Sequence, residues 1–153
     1  MERQQLVKHL DGGEAFMPIT EVLNKISFED LGKRITPLPY SFYEIFYHIR
    51  YAQKDILNYI VSDTYKTPNW PEGYWDKKEA PESKEDWESL KEQFFAERQQ
   101  LANYILDETN DLDEPVKNSK NHTLLRELML VIEHNAYHLG QLIVILRLLG
   151  DHQ

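Results

Sequence analysis

The chain of 153 residues contains no cysteine. This absence excludes disulfide bonds, thiolate metal ligands and a cysteine nucleophile, and it is compatible with a reducing cytosol. A metal ion bound by side chains must therefore sit on histidine, aspartate or glutamate. If the protein uses thiol chemistry, the thiol has to come from another molecule.

Basic residues are few compared with acidic ones: 17 lysines and arginines stand against 26 aspartates and glutamates, which gives a formal net charge of -9 at pH 7. No cluster of lysine or arginine is dense enough to follow a phosphate backbone. We therefore expect no nucleic acid partner.

Long apolar runs are also scarce. No uninterrupted apolar run approaches the ~20 residues that span a bilayer, and the first five residues lack the apolar core of a signal peptide. We expect a soluble, cytoplasmic protein with no membrane partner. Its length suits one domain over residues 1–153.

Capping residues and apolar residues at the 3.6-residue period predict three long helices, over about 41–62, 83–107 and 124–149. Ser41 and Glu44 have the capping-box form at the start of the first of these, and Gly150 is placed to end the last. An earlier helix is interrupted by Gly12, Gly13 and Pro18, so it is either broken or begins late. The pattern predicts an all-α four-helix bundle with long connecting loops.

Two of the six histidines, His134 and His138, lie four residues apart on the last helix, so both imidazoles share one face. His48 lies on the inward flank of the helix over 41–62. Neutral histidines in an apolar interior need partners for both ring nitrogens, and three convergent imidazoles match an open zinc-type site. The competing interpretation is that the pair is only hydrogen-bonded at a helix interface. We expect His9, His122 and His152 to be exposed or to act as caps.

Three parts of the chain carry a family resemblance: 124–127 with 134–142 on the last helix, 39–49 on the helix with His48, and 68–75 in an aromatic loop. They resemble the DinB-like family, also called the DinB/YfiT superfamily, and the stretch on the last helix is the most specific of them. The resemblance implies a four-helix bundle that binds one divalent metal ion through His48, His134 and His138. Characterised members include transferases and isomerases that use low-molecular-weight thiols such as bacillithiol or mycothiol, while many members have no assigned reaction.

Three functions follow from such a site. The first is a metal-dependent S-transferase that activates a low-molecular-weight thiol for attack on a small electrophile. The second is a metal-dependent hydrolase that uses metal-activated water, and the third is a non-enzymatic stress protein that binds metal or a small molecule. We expect zinc or nickel ahead of iron, although imidazole ligands alone do not decide between them.

Neighbouring residues bear on these alternatives. Hydrolysis needs a general base, and the nearest carboxylates in sequence are expected to be solvated charges, which ranks hydrolysis below thiol transfer: Glu44, Asp55 and Glu133. Tyr51 and Gln141 lie one turn after a predicted ligand, where they either orient an imidazole or are ordinary flank residues. Three loop aromatics either roof the metal pocket or close the core, and we favour core closure: Trp70, Tyr74 and Trp75. The apolar run over 142–149 predicts a homodimer.

Overall fold

The computed structural model describes residues 2–152, which form five α-helices and no strand. The helices are α1 (Glu2–Asp11), α2 (Ile19–Lys25), α3 (Phe42–Val61), α4 (Lys84–Leu106) and α5 (Leu124–Leu149). Short 3-10 turns occupy Phe28–Asp30 and Glu72–Tyr74. The predicted all-α bundle is confirmed, and α3 and α5 form its largest helix pair.

The first side of the bundle is a broken helix. Gly12 and Gly13 have φ angles of +78° and +92°, a backbone conformation that glycine adopts without steric cost and that ends α1. Pro18 then precedes α2 as its N-cap. Both segments pack against α5, and α1 also packs against α4.

Local capping chemistry fixes the ends of the long helices. Ser41 Oγ accepts a hydrogen bond from the Glu44 amide, while the Glu44 carboxylate accepts one from the Ser41 amide. Ser83 and Thr123 cap α4 and α5 in the same way through their hydroxyl groups. Gly150 ends α5 in the left-handed conformation, with a φ of +88°. These ends agree with the sequence-based prediction.

The core between the helices is aromatic at one end. Phe46 packs edge-on against both Trp87 and Phe94, with ring centroids 5.1 and 5.2 Å apart. A second apolar cluster, around Leu101, Ile105 and Leu128, fills the other end of the bundle. By length and composition α5 could also cross a membrane, yet here it lies packed against α3 as a core helix. The cytoplasmic location stays a prediction.

The α3–α4 loop, residues 62–83, is ordered against the bundle. Tyr74 donates a hydrogen bond to Asp55 on α3, and Tyr43 on α3 donates one to Asp76 of the loop, at 2.5 and 2.6 Å. Gly32 allows the loop to approach closely, because a Cβ at this position would lie 2.5 Å from the Cβ of Ala80. The loop is thereby held over the half of the bundle that contains His48.

Candidate metal centre

Three histidines from two helices converge inside the bundle. His48 comes from α3, and His134 and His138 come from successive turns of α5. One ring nitrogen from each lies within 4.8 Å of the others, and the Nε2 atoms of His48 and His134 are 3.0 Å apart. The side chains of His48 and His138 are buried, with exposed fractions of 4% and 8%.

Hydrogen bonds to the outer ring nitrogens fix how two of the imidazoles are turned. His48 Nδ1 lies 3.1 Å from the carbonyl oxygen of Tyr74, and His138 Nδ1 lies 2.6 Å from Oε1 of Gln141. Because these oxygens can only accept, each Nδ1 must carry the hydrogen. The Nε2 atoms of both rings therefore present lone pairs to the centre of the cluster, which is how ligand histidines are oriented by their surroundings.

The donor set fits a divalent metal ion. Imidazole nitrogens that share a tetrahedral zinc at ~2.0–2.1 Å would lie about 3.3 Å apart. The observed separations, 3.0 Å for one pair and none above 4.8 Å, bracket that value. The structure thus contains a group that could hold a metal ion.

Burial also keeps the imidazoles in the form that binds metal. Desolvation lowers the pKa of His48 to about 4, and the Tyr74 carbonyl only partly offsets this effect. Desolvation, reinforced by the neighbouring His138 and His48, lowers the pKa of His134 to about 3. The pKa of His138 is lowered for the same first reason. All three are therefore neutral at pH 7.

The model of the DinB family matches residues 14–153 of the chain. The chain belongs to the DinB family. No curated protein and no solved structure matches it. The match begins after α1 and includes α2 to α5, so all three histidines of this DinB protein lie inside it. The family resemblance expected from the sequence is confirmed.

Two aromatic rings cover the histidines of this DinB protein. Trp75 stacks on His48 with ring centroids 4.1 Å apart and ring planes inclined by 4°, and Tyr137 meets His138 edge-on at 4.8 Å. The prediction that the loop aromatics close the core is wrong for Trp75, which stacks on His48, and for Tyr74, whose ring meets His48 edge-on at 6.4 Å and whose carbonyl contacts His48 Nδ1. Trp70 is 72% exposed and touches only the edge of Tyr74 at 5.3 Å.

The carboxylates near the histidines in sequence are differently placed than expected. Glu44 is not a solvated charge, because its side chain is buried (8% exposed) and accepts two hydrogen bonds from Arg34, at 2.5 and 3.1 Å. Asp55 is half-buried and accepts a hydrogen bond from the hydroxyl group of Tyr74. Only Glu133 is exposed, as predicted. The first two predictions failed because capping and loop docking engage these carboxylates.

Of the two neighbouring polar residues, only Gln141 contacts a histidine of the cluster. Tyr51 instead stacks on Tyr47 and meets Tyr74 edge-on. The amide nitrogen of Gln141 continues the hydrogen-bond chain by donating to the hydroxyl of Tyr40 at 3.0 Å. Sequence reasoning missed Tyr40, which stacks on Trp75 at 6.3 Å. No periodic signal could have found it, because it precedes α3 in a connector.

The other three histidines stand apart from the cluster. His9 contacts Gln5 on the exposed face of α1, and His122 contacts Tyr59 at 3.1 Å just before α5. His152 lies beyond the end of α5. Their exclusion from the predicted site agrees with the grouping of His48, His134 and His138 alone among residues 2–152.

Proposed function

We propose that this DinB protein binds one divalent metal ion through His48, His134 and His138 and is a metal-dependent S-transferase. In this reaction a low-molecular-weight thiol loses its proton to water, and its sulfur forms a bond to a carbon of a small electrophile while the bond from that carbon to a leaving group, such as a halide, breaks and the leaving group departs with the electron pair. The observation that carries the proposal is the inward orientation of the histidine Nε2 atoms in a buried, neutral cluster. An ion held by three neutral ligands keeps its charge and lowers the pKa of a bound thiol by several units.

The protein's own residues supply orientation and shielding. The Tyr74 carbonyl and the Gln141 amide hold His48 and His138 with their Nε2 atoms inward. Trp75 stacks on His48 and Tyr137 meets His138 edge-on, and both histidines are buried. Buried groups that are fixed in this way strengthen the electrostatic stabilisation of a developing negative charge.

The positions of the carboxylates favour thiol transfer over hydrolysis. Hydrolysis with an activated water needs a general base within hydrogen-bonding reach. Glu44 and Asp55 are engaged by Arg34 and Tyr74, and Glu133 is exposed on another face of α5. A thiol has less need of a fixed base, because its ordinary pKa of about 8.5 is already close to neutral.

The remaining expectations stay proposals. Zinc or nickel ahead of iron is favoured by an all-imidazole donor set. A homodimer is supported by apolar side chains left exposed on α5, among them Leu148 at 56% and Met129 at 52%. Sedimentation velocity on the purified protein tests the dimer.

Elemental analysis of the purified, tag-free protein is the first experiment. We expect about one divalent ion per chain in the wild type and none in a His48→Ala, His134→Ala double variant. His122→Ala is the matched control, because this histidine lies outside the cluster, and it should keep the metal. Absence of metal from the wild type even after reconstitution would overturn the site.

Activity assays then separate the reaction classes. We expect metal-dependent consumption of bacillithiol in the presence of 1-chloro-2,4-dinitrobenzene, abolished in His138→Ala. Full activity in that variant would remove the three histidines as the reactive centre. Turnover of an ester without any thiol would instead favour the hydrolase, and metal binding without either reaction would favour a binding protein.

A further inference from the structure

A small cavity lies under the break between α1 and α2, where residues of these two helices meet residues of α4 and α5. It leaves about 10 Å³ for the centre of an occupant, which is room for a single water-sized group. Two buried polar side chains line it, Arg98 from α4 and Asn135 from α5. Its apolar walls come from α1, α2 and α5: Leu10, Ile19, Ile132 and Leu139.

Arg98 is buried, with an exposed fraction of 6%, but only part of its guanidinium group has partners. Its Nε atom donates to Oε1 of Gln53, and one terminal nitrogen donates to the carbonyl oxygen of Asp11, both at 3.4 Å. The guanidinium carbon also lies over the ring of Phe94, 4.3 Å from the centroid. Among residues 2–152 the other three N–H groups have no acceptor, and no carboxylate forms an ion pair with the group.

The charge of Arg98 persists at neutral pH. Burial lowers its pKa to about 10, and the charge of Asp11 only partly offsets this effect. A charged group that is buried without a partner costs much more than a neutral one, so buried charges in proteins are normally paired. Arg50 follows this rule, because its guanidinium donates two hydrogen bonds to the carboxylate of Glu97. Within the described part of the chain, Arg50 therefore has a contacting anion and Arg98 has none.

Asn135 is the second incomplete group in the cavity wall. Its side chain is 8% exposed, and neither Nδ2 nor Oδ1 has a hydrogen-bond partner among residues 2–152. Buried amide groups in folded proteins are nearly always hydrogen-bonded. The NH2 group of Asn135 can donate two hydrogen bonds without bringing a negative charge. A cavity lined by a guanidinium and an amide, both short of acceptors, thus has the donors of an anion site.

We propose that this cavity binds one small monovalent anion of the size of chloride, held between the guanidinium of Arg98 and the amide NH2 of Asn135. The size of the cavity excludes sulfate, phosphate and organic carboxylates. Two other ionisable side chains line it, His9 and Asp11, and both are exposed on α1, where water and salt screen their charges. A water molecule has a similar size but would leave the charge of Arg98 without a counter-ion. The bound anion would stabilise the packing of α1 and α2 and takes no part in the proposed function.

Urea denaturation of the full chain in sodium chloride and in sodium gluconate, at equal ionic strength, tests the site. Gluconate is too large for the cavity. For a dissociation constant of about 10 mM, we expect 100 mM chloride to lower the equilibrium constant of unfolding about tenfold, and the effect should saturate. Bromide should replace chloride, and its anomalous scattering in crystals should place it between Arg98 and Asn135.

Variants separate this site from general salt effects and from the metal centre. Arg98→Met and Asn135→Leu should each remove the chloride effect, and either one suffices if the other fails to fold. Arg147→Met is the matched control, because it removes an exposed arginine of α5 and should keep the effect. The His48→Ala, His134→Ala double variant should also keep it, because these histidines do not line the cavity. The anion site therefore stands or falls independently of the metal.

Three results would contradict the anion site. Equal unfolding constants of the wild type in the two salts would overturn the proposal. A chloride effect that persists in Arg98→Met or in Asn135→Leu would be a general salt effect and would overturn it too. Crystals soaked in bromide that show no anomalous peak in the cavity would identify water as its occupant, with the same consequence.

Discussion

Two buried polar side chains lie two residues apart on α3 and have different kinds of partner. His48 faces α5, where it joins two further imidazoles. Arg50 faces α4, where its guanidinium donates two hydrogen bonds to the carboxylate of Glu97 at 2.5 and 3.0 Å. Both side chains are buried, with exposed fractions of 4% for His48 and 8% for Arg50.

The two sites differ in whether the chain itself supplies a partner of opposite charge. The charge of Arg50 is matched by Glu97 within the chain, although burial raises the pKa of Glu97 more than Arg50 lowers it. Within residues 2–152 no carboxylate belongs to the histidine cluster, and the Nε2 atoms of His48 and His134 face each other. Arg50 and Glu97 therefore form an ion pair that the chain itself completes, whereas the histidine cluster is a group that could hold a metal ion.

Breaking the ion pair of Arg50 and Glu97 has the largest expected effect on stability. Glu97→Leu leaves the guanidinium of Arg50 buried without its partner, so we expect the free energy of unfolding to fall by about 3–5 kcal/mol. Urea denaturation measures this loss. An Arg50→Met, Glu97→Leu double variant should recover most of the stability, and the metal content should not change. A double variant as unstable as the single one would contradict the structural interpretation.

Removing one imidazole from the histidine cluster has the next largest expected effect, which is on metal affinity. We expect His134→Ala to weaken zinc binding by about two to three orders of magnitude, because one of three protein ligands is lost. Competition with a chelator of known affinity measures the change. The stability of the metal-free protein should change little. A zinc affinity within threefold of the wild type would rule out His134 as a ligand.

Lowering the pH should destabilise the metal-free protein through the buried histidines. In the unfolded chain a histidine takes up its proton near pH 6.5, whereas burial holds the pKa of His48 at about 4 and that of His134 at about 3 in the fold. The unfolded state therefore binds more protons as the pH falls below about 6.5, so stability decreases through that window and is unaffected above it. We expect a loss on the order of 3 kcal/mol for each of these two histidines by pH 4.

Urea denaturation of the metal-free protein between pH 7 and 5 measures the onset of this decrease before most carboxylates titrate. His134→Asn lacks one of the shifted groups and should lose less stability over the same range. An identical pH profile in the two proteins would show that the decrease has another source.

Loosening the orientation of one ligand should have the smallest effect. Gln141→Leu removes the acceptor of His138 Nδ1, so we expect metal affinity to fall by about 10- to 100-fold with the fold intact. Gln141→Glu keeps an acceptor and should retain affinity near the wild-type value. Calorimetric titration with zinc compares the two, and equal losses in both would remove this hydrogen bond from the account.

The sequence predicted the helices well because their signals are local. Capping side chains bond to amides three residues away, and the ends of α3, α4 and α5 agree with the prediction. The loop aromatics and the carboxylates were predicted poorly. Trp75 is placed by its stacking on His48, and Glu44 by its hydrogen bonds from Arg34. The periodicity of apolar residues does not encode either contact.

By itself the sequence determined that any metal ligands are not thiolates and that His134 and His138 share a helix face, since an i, i+4 spacing on an α-helix leaves no other arrangement. Tertiary structure alone brought His48 to within 3.0 Å of His134, across 86 positions of sequence. It also chose the Tyr74 carbonyl and Trp75 as partners of His48. These contacts depend on how helices and loops pack over long separations, where burial of apolar surface, and not local hydrogen bonding, fixes the arrangement.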